Sequence, residues 1–163
     1  MQLQLEQIFN IDGSHKSLQF SFEPEYPLCD DFSLVSPVEF SGEVKNSVGI
    51  VSLSGKAKFS ATVICGRCAE PFKKDFAVEV EHLLANKLVN DDNDEYIVVE
   101  DNVLDLTELL CEDIILSLPT RFLCREDCKG ICSKCGKNLN EGKCDCKKDI
   151  DPRMAALLEL LED

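Results

Sequence analysis

Six of the ten cysteines in this 163-residue chain fall between Cys124 and Cys146. They are Cys124, Cys128, Cys132, Cys135, Cys144 and Cys146, in the stretch CREDCKGICSKCGKNLNEGKCDC. Thiols at this density either oxidise to disulfides or ligate metal ions. The chain opens MQLQLEQIFN, without the basic start, apolar stretch and small-residue cleavage site of an export signal. The expectation is therefore a cytoplasmic protein whose thiols stay reduced. Spacing agrees, because Cys132 and Cys135 are separated by two residues and Cys144 and Cys146 by one. Such pairs crowd thiolates around one ion more readily than they form unstrained bridges. Cys132-Ser133-Lys134-Cys135 followed by Gly136 has the form of a zinc knuckle, in which a tight turn aims two sulfurs at one point.

Energetics points the same way. Between Cys124 and Cys146 the only large apolar residues are Ile131 and Leu139, too few for a core. Ordering the segment costs roughly 1–2 kcal/mol per residue of backbone, whereas a structural zinc site returns about 10–16 kcal/mol. One or two zinc ions, with packing on a neighbouring body, would order the arm.

A second pair at ligand spacing, Cys65-Gly66-Arg67-Cys68, lies far upstream. Before it, Val51, Leu53, Ala57, Phe59, Ala61 and Val63 alternate with polar residues; after it, Phe76, Val78 and Val80 do the same. This period of two predicts a β-hairpin whose connection carries the two cysteines and Pro71. A hairpin tip presents half of a tetrahedral site, and the other half must come from elsewhere. The four close pairs, 65/68, 124/128, 132/135 and 144/146, supply ligands for two four-thiolate sites. The favoured grouping puts Cys132 and Cys135 with Cys144 and Cys146 in a ribbon-like site, and Cys65 and Cys68 with Cys124 and Cys128. A single ion held by Cys128, Cys132, Cys135 and one of the last pair is the competing scheme. Cys29 and Cys111 are read as small apolar residues. A plain turn or a redox dithiol is the alternative for Cys65 and Cys68, although a thioredoxin-like dithiol belongs at a strand-to-helix turn rather than between alternating strands.

These pairs need elements to position them. The predicted fold class is α+β: an antiparallel β-rich body with a CxxC hairpin, one or two packed helices, and a cysteine-rich zinc-binding arm followed by a short helix. The expected divisions are residues 1–120 for the body, 121–148 for the arm and 149–163 for a terminal amphipathic helix. In the first 60 residues Leu3, Leu5, Leu18, Phe20, Phe22, Val38 and Phe40 read as strands, with Pro24, Pro27, Pro37 and Gly42 as breaks. Asn86 to Glu95 reads as an exposed acidic loop without EF-hand offsets. Tyr96 to Val99 reads as a short strand. Asp105 and Glu108 resemble a capping box opening a helix with Leu106, Leu109, Leu110, Ile114 and Leu118 on its buried face, ended by Pro119. Asp151-Pro152 is a second helix start, and Met154, Leu157, Leu158 and Leu161 form its apolar stripe.

The chain carries 17 basic and 31 acidic residues, a net charge of −14. Residues 121–148 are the exception, with Arg121, Arg125, Lys129, Lys134, Lys137, Lys143, Lys147 and Lys148 against Glu126, Asp127, Glu141 and Asp145. An acidic body repels phosphate and attracts basic proteins, so sequence-independent nucleic-acid binding by the whole chain is not expected. A local contact through the arm is compatible with its charge, although lysines near knuckles also simply offset thiolate charge.

Catalytic motifs are missing: there is no Gly-rich phosphate loop, HExxH or nucleophile elbow. The two histidines, His15 and His82, are not at ligand spacing to any cysteine. A site closed by four thiolates leaves no position for water and is structural. The expectation is a non-enzyme with no small-molecule substrate and no membrane partner, since no apolar run approaches a bilayer span.

Four motifs in order, VICGRCAEPF, EDIILSLP, CREDCKGICSKCGKNLNEGKCDC and DPRMAALLELL, together resemble the YceD family, the large ribosomal RNA subunit accumulation proteins. The resemblance runs from about Val63 to the C-terminus. It implies a bacterial-type cytoplasmic protein, or an organelle homologue, that supports 23S rRNA accumulation and large-subunit assembly. The implied partners are a large-subunit precursor, a ribosomal protein or 23S rRNA. No catalytic residue comes with it; the transferable residues are the candidate ligands Cys65, Cys68, Cys124, Cys128, Cys132, Cys135, Cys144 and Cys146. Two other classes stay open at this stage: a thiol redox enzyme or sensor using Cys65 and Cys68, and a zinc-ribbon nucleic-acid-binding regulator.

Overall fold

A computed structural model describes residues 1–24, 26, 28, 32–86 and 95–146. It shows a mixed α+β, strand-rich chain. Its frame is the long antiparallel pair β5 (Ile50–Ile64) and β6 (Pro71–Ala85), in register from Val51↔Leu84 to Ile64↔Pro71. Alternation along β5 sorts its side chains: Val51, Leu53, Ala57, Phe59, Ala61 and Val63 are buried, while the polar residues between them stay at least partly exposed.

The other edge of β5 is shared by two strands. β4 (Val38–Ser47) pairs with its first half, and β3 (Phe32–Leu34) with Ala61–Val63. β2 (His15–Phe22) lies outside β4, and β7 (Tyr96–Val98) pairs in parallel with the end of β6. A separate two-stranded sheet joins β1 (Gln2–Gln4) to β8 (Val103–Asp105), which follows a short 3₁₀ turn.

Two helices complete the described residues. α1 (Glu6–Asn10) buries Ile8, and α2 (Leu106–Ser117) buries Leu106, Leu109, Leu110, Cys111 and Ile114 in the core shared with the six-stranded sheet. The Asp105 side chain caps α2 by accepting from the N–H groups of Thr107 and Glu108. His82 of β6 bonds through Nε2 to Asp113 of α2 at 2.8 Å, tying helix to sheet. Cys111 is 2% exposed, as a small apolar residue would be.

Three features differ from the sequence reading or fall outside its test. Leu5, read as a strand residue, instead precedes α1; it is fully buried, so its hydrophobicity reports burial and not strand alternation. Gly42, read as a break, lies within β4 directly opposite Gly55. A Cβ on Gly42 would sit 2.7 Å from the Gly55 Cα and 2.8 Å from the Phe40 ring, so the paired glycines make room for that buried aromatic. Cys29, most of the acidic loop and the Asp151-Pro152 helix lie outside the described residues.

Candidate metal centre

After α2 the chain returns across the hairpin tip, and an aromatic side chain fixes where it crosses. Phe122 is 7% exposed and packs edge-on to Phe76, 5.9 Å between centroids, within a cluster that includes Phe32 and Phe59. Its carbonyl accepts from the Gly66 N–H at 2.8 Å, between the two hairpin cysteines. Cys124 follows two residues later. The tip is itself a tight turn, with the Ala69 N–H on the Cys65 carbonyl at 2.9 Å and the Cys65 N–H on the Glu70 carbonyl at 3.0 Å.

These constraints bring Cys65, Cys68, Cys124 and Cys128 together, with all four sulfurs within 4.8 Å of one another. The Sγ atoms of Cys65 and Cys128 are 3.8 Å apart, as are those of Cys68 and Cys124. A disulfide would require about 2.05 Å. A tetrahedron whose thiolates lie about 2.3 Å from a central ion has edges of about 3.8 Å, so the donor set fits a four-coordinate metal. Cys65, Cys68 and Cys128 are buried, Cys124 is partly exposed, and Phe72 and Leu123 pack against the group.

The connecting chain is pinned from both sides. Arg67 Nη1 donates to the carbonyls of Glu126 and Cys128, both at 3.1 Å, and the Ile131 N–H donates to the Arg67 carbonyl at 3.1 Å. Gly130 sits beneath that carbonyl with φ +74°, where a Cβ would lie 2.8 Å from the Arg67 oxygen. No other residue satisfies both the backbone angle and the close approach.

The second group, Cys132, Cys135, Cys144 and Cys146, also has its four sulfurs within 4.8 Å of one another. Here the knuckle closes through the Gly136 N–H on the Cys132 carbonyl and the Cys132 N–H on the Lys137 carbonyl, both 2.9 Å. Lys137 Nζ caps the loop on the Lys143 carbonyl at 3.0 Å. Cys132 and Cys144 are half-buried, and Cys135 and Cys146 are exposed. Both groups could hold metal ions, and Cys128 falls with the first group and not with the second.

Ionisation within each group is uneven for a physical reason. Burial alone would raise the Cys65 thiol, but the N–H groups of Cys124, Cys68 and Arg67 outweigh it and bring the thiol down to about 6. Burial and the neighbouring sulfurs of Cys65, Cys128 and Cys68 push Cys124 up to about 12. In the second group the N–H groups of Cys135 and Lys134 bring Cys132 down to about 6, while the Cys135 sulfur and burial push Cys146 up to about 12. Cys128 of the first group is lowered as well, chiefly by the Asn140 carboxamide, whereas Cys68 is raised. In each group part of the thiol set therefore ionises readily and the rest resists. A divalent cation removes that resistance.

Sequence reading singled out the eight cysteines but not the residues that hold them. Phe122, Arg67, Gly130 and Asn140 have no spacing signature. The last donates Nδ2 to Cys128 Sγ at 3.3 Å. The only hint was their place beside or between cysteine pairs.

No helix among the described residues is long and apolar enough to cross a membrane. No solved structure matches the chain. An uncharacterised protein of Mycobacterium bovis is 34% identical over 101 residues, 60% of this chain and 49% of the relative, so the chain spans about half the length of such mycobacterial matches. The uncharacterised protein YlbN of Bacillus subtilis is 28% identical over 83% of this chain and 80% of its own length. A chloroplastic protein of Arabidopsis thaliana named as a large ribosomal RNA subunit accumulation protein YCED homolog is 26% identical over 73% of this chain and 46% of its own. The family described as large ribosomal RNA subunit accumulation protein YceD matches residues 53–161, which takes in β6, α2 and both thiol groups. The chain belongs to the YceD family.

Proposed function

We propose that this protein is a non-enzymatic, cytoplasmic zinc-binding factor that supports 23S rRNA accumulation and assembly of the large ribosomal subunit. The observation that carries the reading is the pairing of two closed four-thiolate sets with a family named for that RNA. Four thiolates at tetrahedral spacing favour zinc among the common biological divalent ions, and a closed set leaves no site for an activated water. Cys65, Cys68, Cys124 and Cys128 hold one ion and fasten the arm to the hairpin. Cys132, Cys135, Cys144 and Cys146 hold the other and shape the arm's outer loop. The acidic body docks a basic ribosomal protein, and the arm, the basic region of the chain, contacts RNA or a second protein.

Co-sedimentation with large-subunit precursors tests the role. The parent chain should travel with precursors, and the Cys132→Ser, Cys135→Ser double variant should do so weakly or not at all. If the variant sediments with them as the parent does, the arm has no part in binding. A redox role for Cys65 and Cys68 is disfavoured by their burial, 1% and 4% exposed. Rapid alkylation of these two thiols in zinc-loaded protein at neutral pH would reverse that judgement.

A further inference from the structure

Asn140 belongs to one thiol centre by sequence and serves the other by geometry. It lies in the loop that joins Cys135 to Cys144, both members of the second group, yet its carboxamide is used on the first. Nδ2 donates to Cys128 Sγ at 3.3 Å, and Oδ1 accepts the Lys129 N–H at 2.8 Å. Asn138 Oδ1 accepts from Asn140 twice, from the backbone N–H at 3.0 Å and from Nδ2 at 2.9 Å. The orientation of the amide is thereby fixed. Reversing it would set an oxygen against the sulfur and an NH₂ group against the Lys129 N–H, losing all three side-chain bonds.

The loop has little else to hold it. Leu139 is its only large apolar residue and is half-buried. Its remaining anchors are hydrogen bonds. The Leu139 N–H on the Gly130 carbonyl at 2.8 Å and the Cys132 N–H on the Lys137 carbonyl at 2.9 Å together bridge Ile131 to Asn138. Lys137 Nζ donates to the Lys143 carbonyl at 3.0 Å, and Asn138 Nδ2 to Glu70 Oε1 of the hairpin at 3.5 Å. Residues 136–143 are clamped at both ends by the second group, so the position of Asn140 depends on whether that group is closed. Four thiolates around a divalent ion carry a formal charge of −2. In a partly desolvated site every N–H aimed at sulfur offsets some of that charge.

We infer that Asn140 is a positioning residue that couples the two centres, so that filling Cys132, Cys135, Cys144 and Cys146 tightens the hold of Cys65, Cys68, Cys124 and Cys128 on their ion. This rests on the metal reading proposed above and adds to it a direction and a residue. Closing the second centre orders the loop, the ordered loop delivers the Nδ2 donor to Cys128, and the first centre gains a bond it otherwise lacks. Coupling of binding is reciprocal, so the first ion must strengthen the second by the same factor.

The test uses the full chain with Zn²⁺ as the probe. Affinity is read by chelator competition under native mass spectrometry, and the centre that retains its ion is identified by which cysteines resist alkylation. Removing an outer hydrogen bond to a ligand typically weakens metal binding roughly tenfold to a hundredfold, and that is the loss expected at the first centre for Asn140→Ala. Disabling the second centre with Cys135→Ser and Cys146→Ser should cause a comparable loss at the first. Adding Asn140→Ala to that double variant should then cost nothing further.

Asn140→Asp separates donation from shape. The aspartate keeps the volume and the acceptor for Lys129 but replaces the donor with a carboxylate oxygen facing sulfur, so it should weaken the first centre at least as much as alanine does. Parent-like affinity in Asn140→Asp, or losses that multiply in the combined variant, overturns the coupling while leaving both metal sites standing. Two ions that leave independently do the same. A parent chain that takes up no zinc at all overturns the metal reading and the coupling together.

Discussion

The two thiol groups have the same composition and opposite settings. The first draws one pair of ligands from the β5–β6 connection and the other from the segment after α2, at least 56 residues away in the chain, buries three of its four cysteines, and lies against Phe72 and Leu123. The second is made within 15 residues, leaves Cys135 and Cys146 exposed, and is held by turns of its own backbone. A local site of the second kind organises a loop. A long-range site of the first kind joins two parts of a fold, and it closes a large chain loop in doing so. The same chemistry therefore serves attachment at one place and local shape at the other.

The largest expected effect breaks this contrast directly. Cys65→Ser with Cys68→Ser should leave one ion per chain, free the arm from the hairpin and cost more than about 4 kcal/mol, since it removes a structural metal together with its buried ligands. Cys135→Ser with Cys146→Ser should also leave one ion, but cost the body only about 1–3 kcal/mol, the share that reaches it through Asn140 when a tenfold change counts as about 1.4 kcal/mol. Denaturant unfolding with metal content measured on the same samples checks both. Hydrogen exchange should show the Gly66 and Ile131 amides, which bond across the junction, losing protection in the first double variant only. Equal losses in the two variants would erase the distinction between attachment and local shape.

Gly130 sharpens the contrast at a smaller scale. Gly130→Ala places a Cβ 2.8 Å from the Arg67 carbonyl oxygen at a backbone angle of +74°, and the obstacle is backbone that cannot rotate away. The expected cost is about 1–3 kcal/mol. It should appear as earlier loss of the ion from Cys65, Cys68, Cys124 and Cys128 during chelator titration, because the strip from Cys128 to Ile131 must shift. Loss from Cys132, Cys135, Cys144 and Cys146 ahead of the first group would show that the junction is looser than its hydrogen bonds imply.

What could be read from the sequence follows the range of the interactions. Alternation from Val51 to Val63 is a local signal, and so is the stripe from Leu106 to Ile114; β5 and α2 occupy those positions. The spacing of close cysteine pairs is local too, whereas the convergence of the 65/68 and 124/128 pairs depends on α2 returning the chain to the hairpin tip, where Phe122 seats it. Elements with weak periodicity were less legible. Leu3 and Leu5 are apolar at alternate positions, but only Leu3 lies in a strand, paired with Leu104 far along the chain. Gly42 looked like a breaker because nothing local reveals Gly55 across the ladder or the Phe40 ring above both. Asn140 and Gly130 act through a three-dimensional junction and leave no periodic trace.

The smallest expected effect belongs to a site remote from both thiol groups and isolates the body. Asp105 caps α2 through the N–H groups of Thr107 and Glu108 and also meets the Met1 amino group. Burial works against its charge, but the Glu108 N–H, the Met1 amino group and the Thr107 N–H prevail and hold its carboxyl below the usual aspartate value of 3.8. A carboxyl whose value is lower in the folded chain stabilises the fold above the unfolded value, and that stability fades as pH falls through the folded one. Asp105→Ala should therefore cost about 1 kcal/mol at neutral pH, with the gap between variant and parent closing as pH drops below about 4. Acid release of zinc affects both chains alike and cancels in the difference. The metal content and the order in which the two centres release their ions should be unchanged at neutral pH, since the cap touches neither. A change in either would mean that α2, which delivers Phe122 to the hairpin, transmits strain into the first centre, and the body and its metal junction would then have to be treated as one cooperative unit.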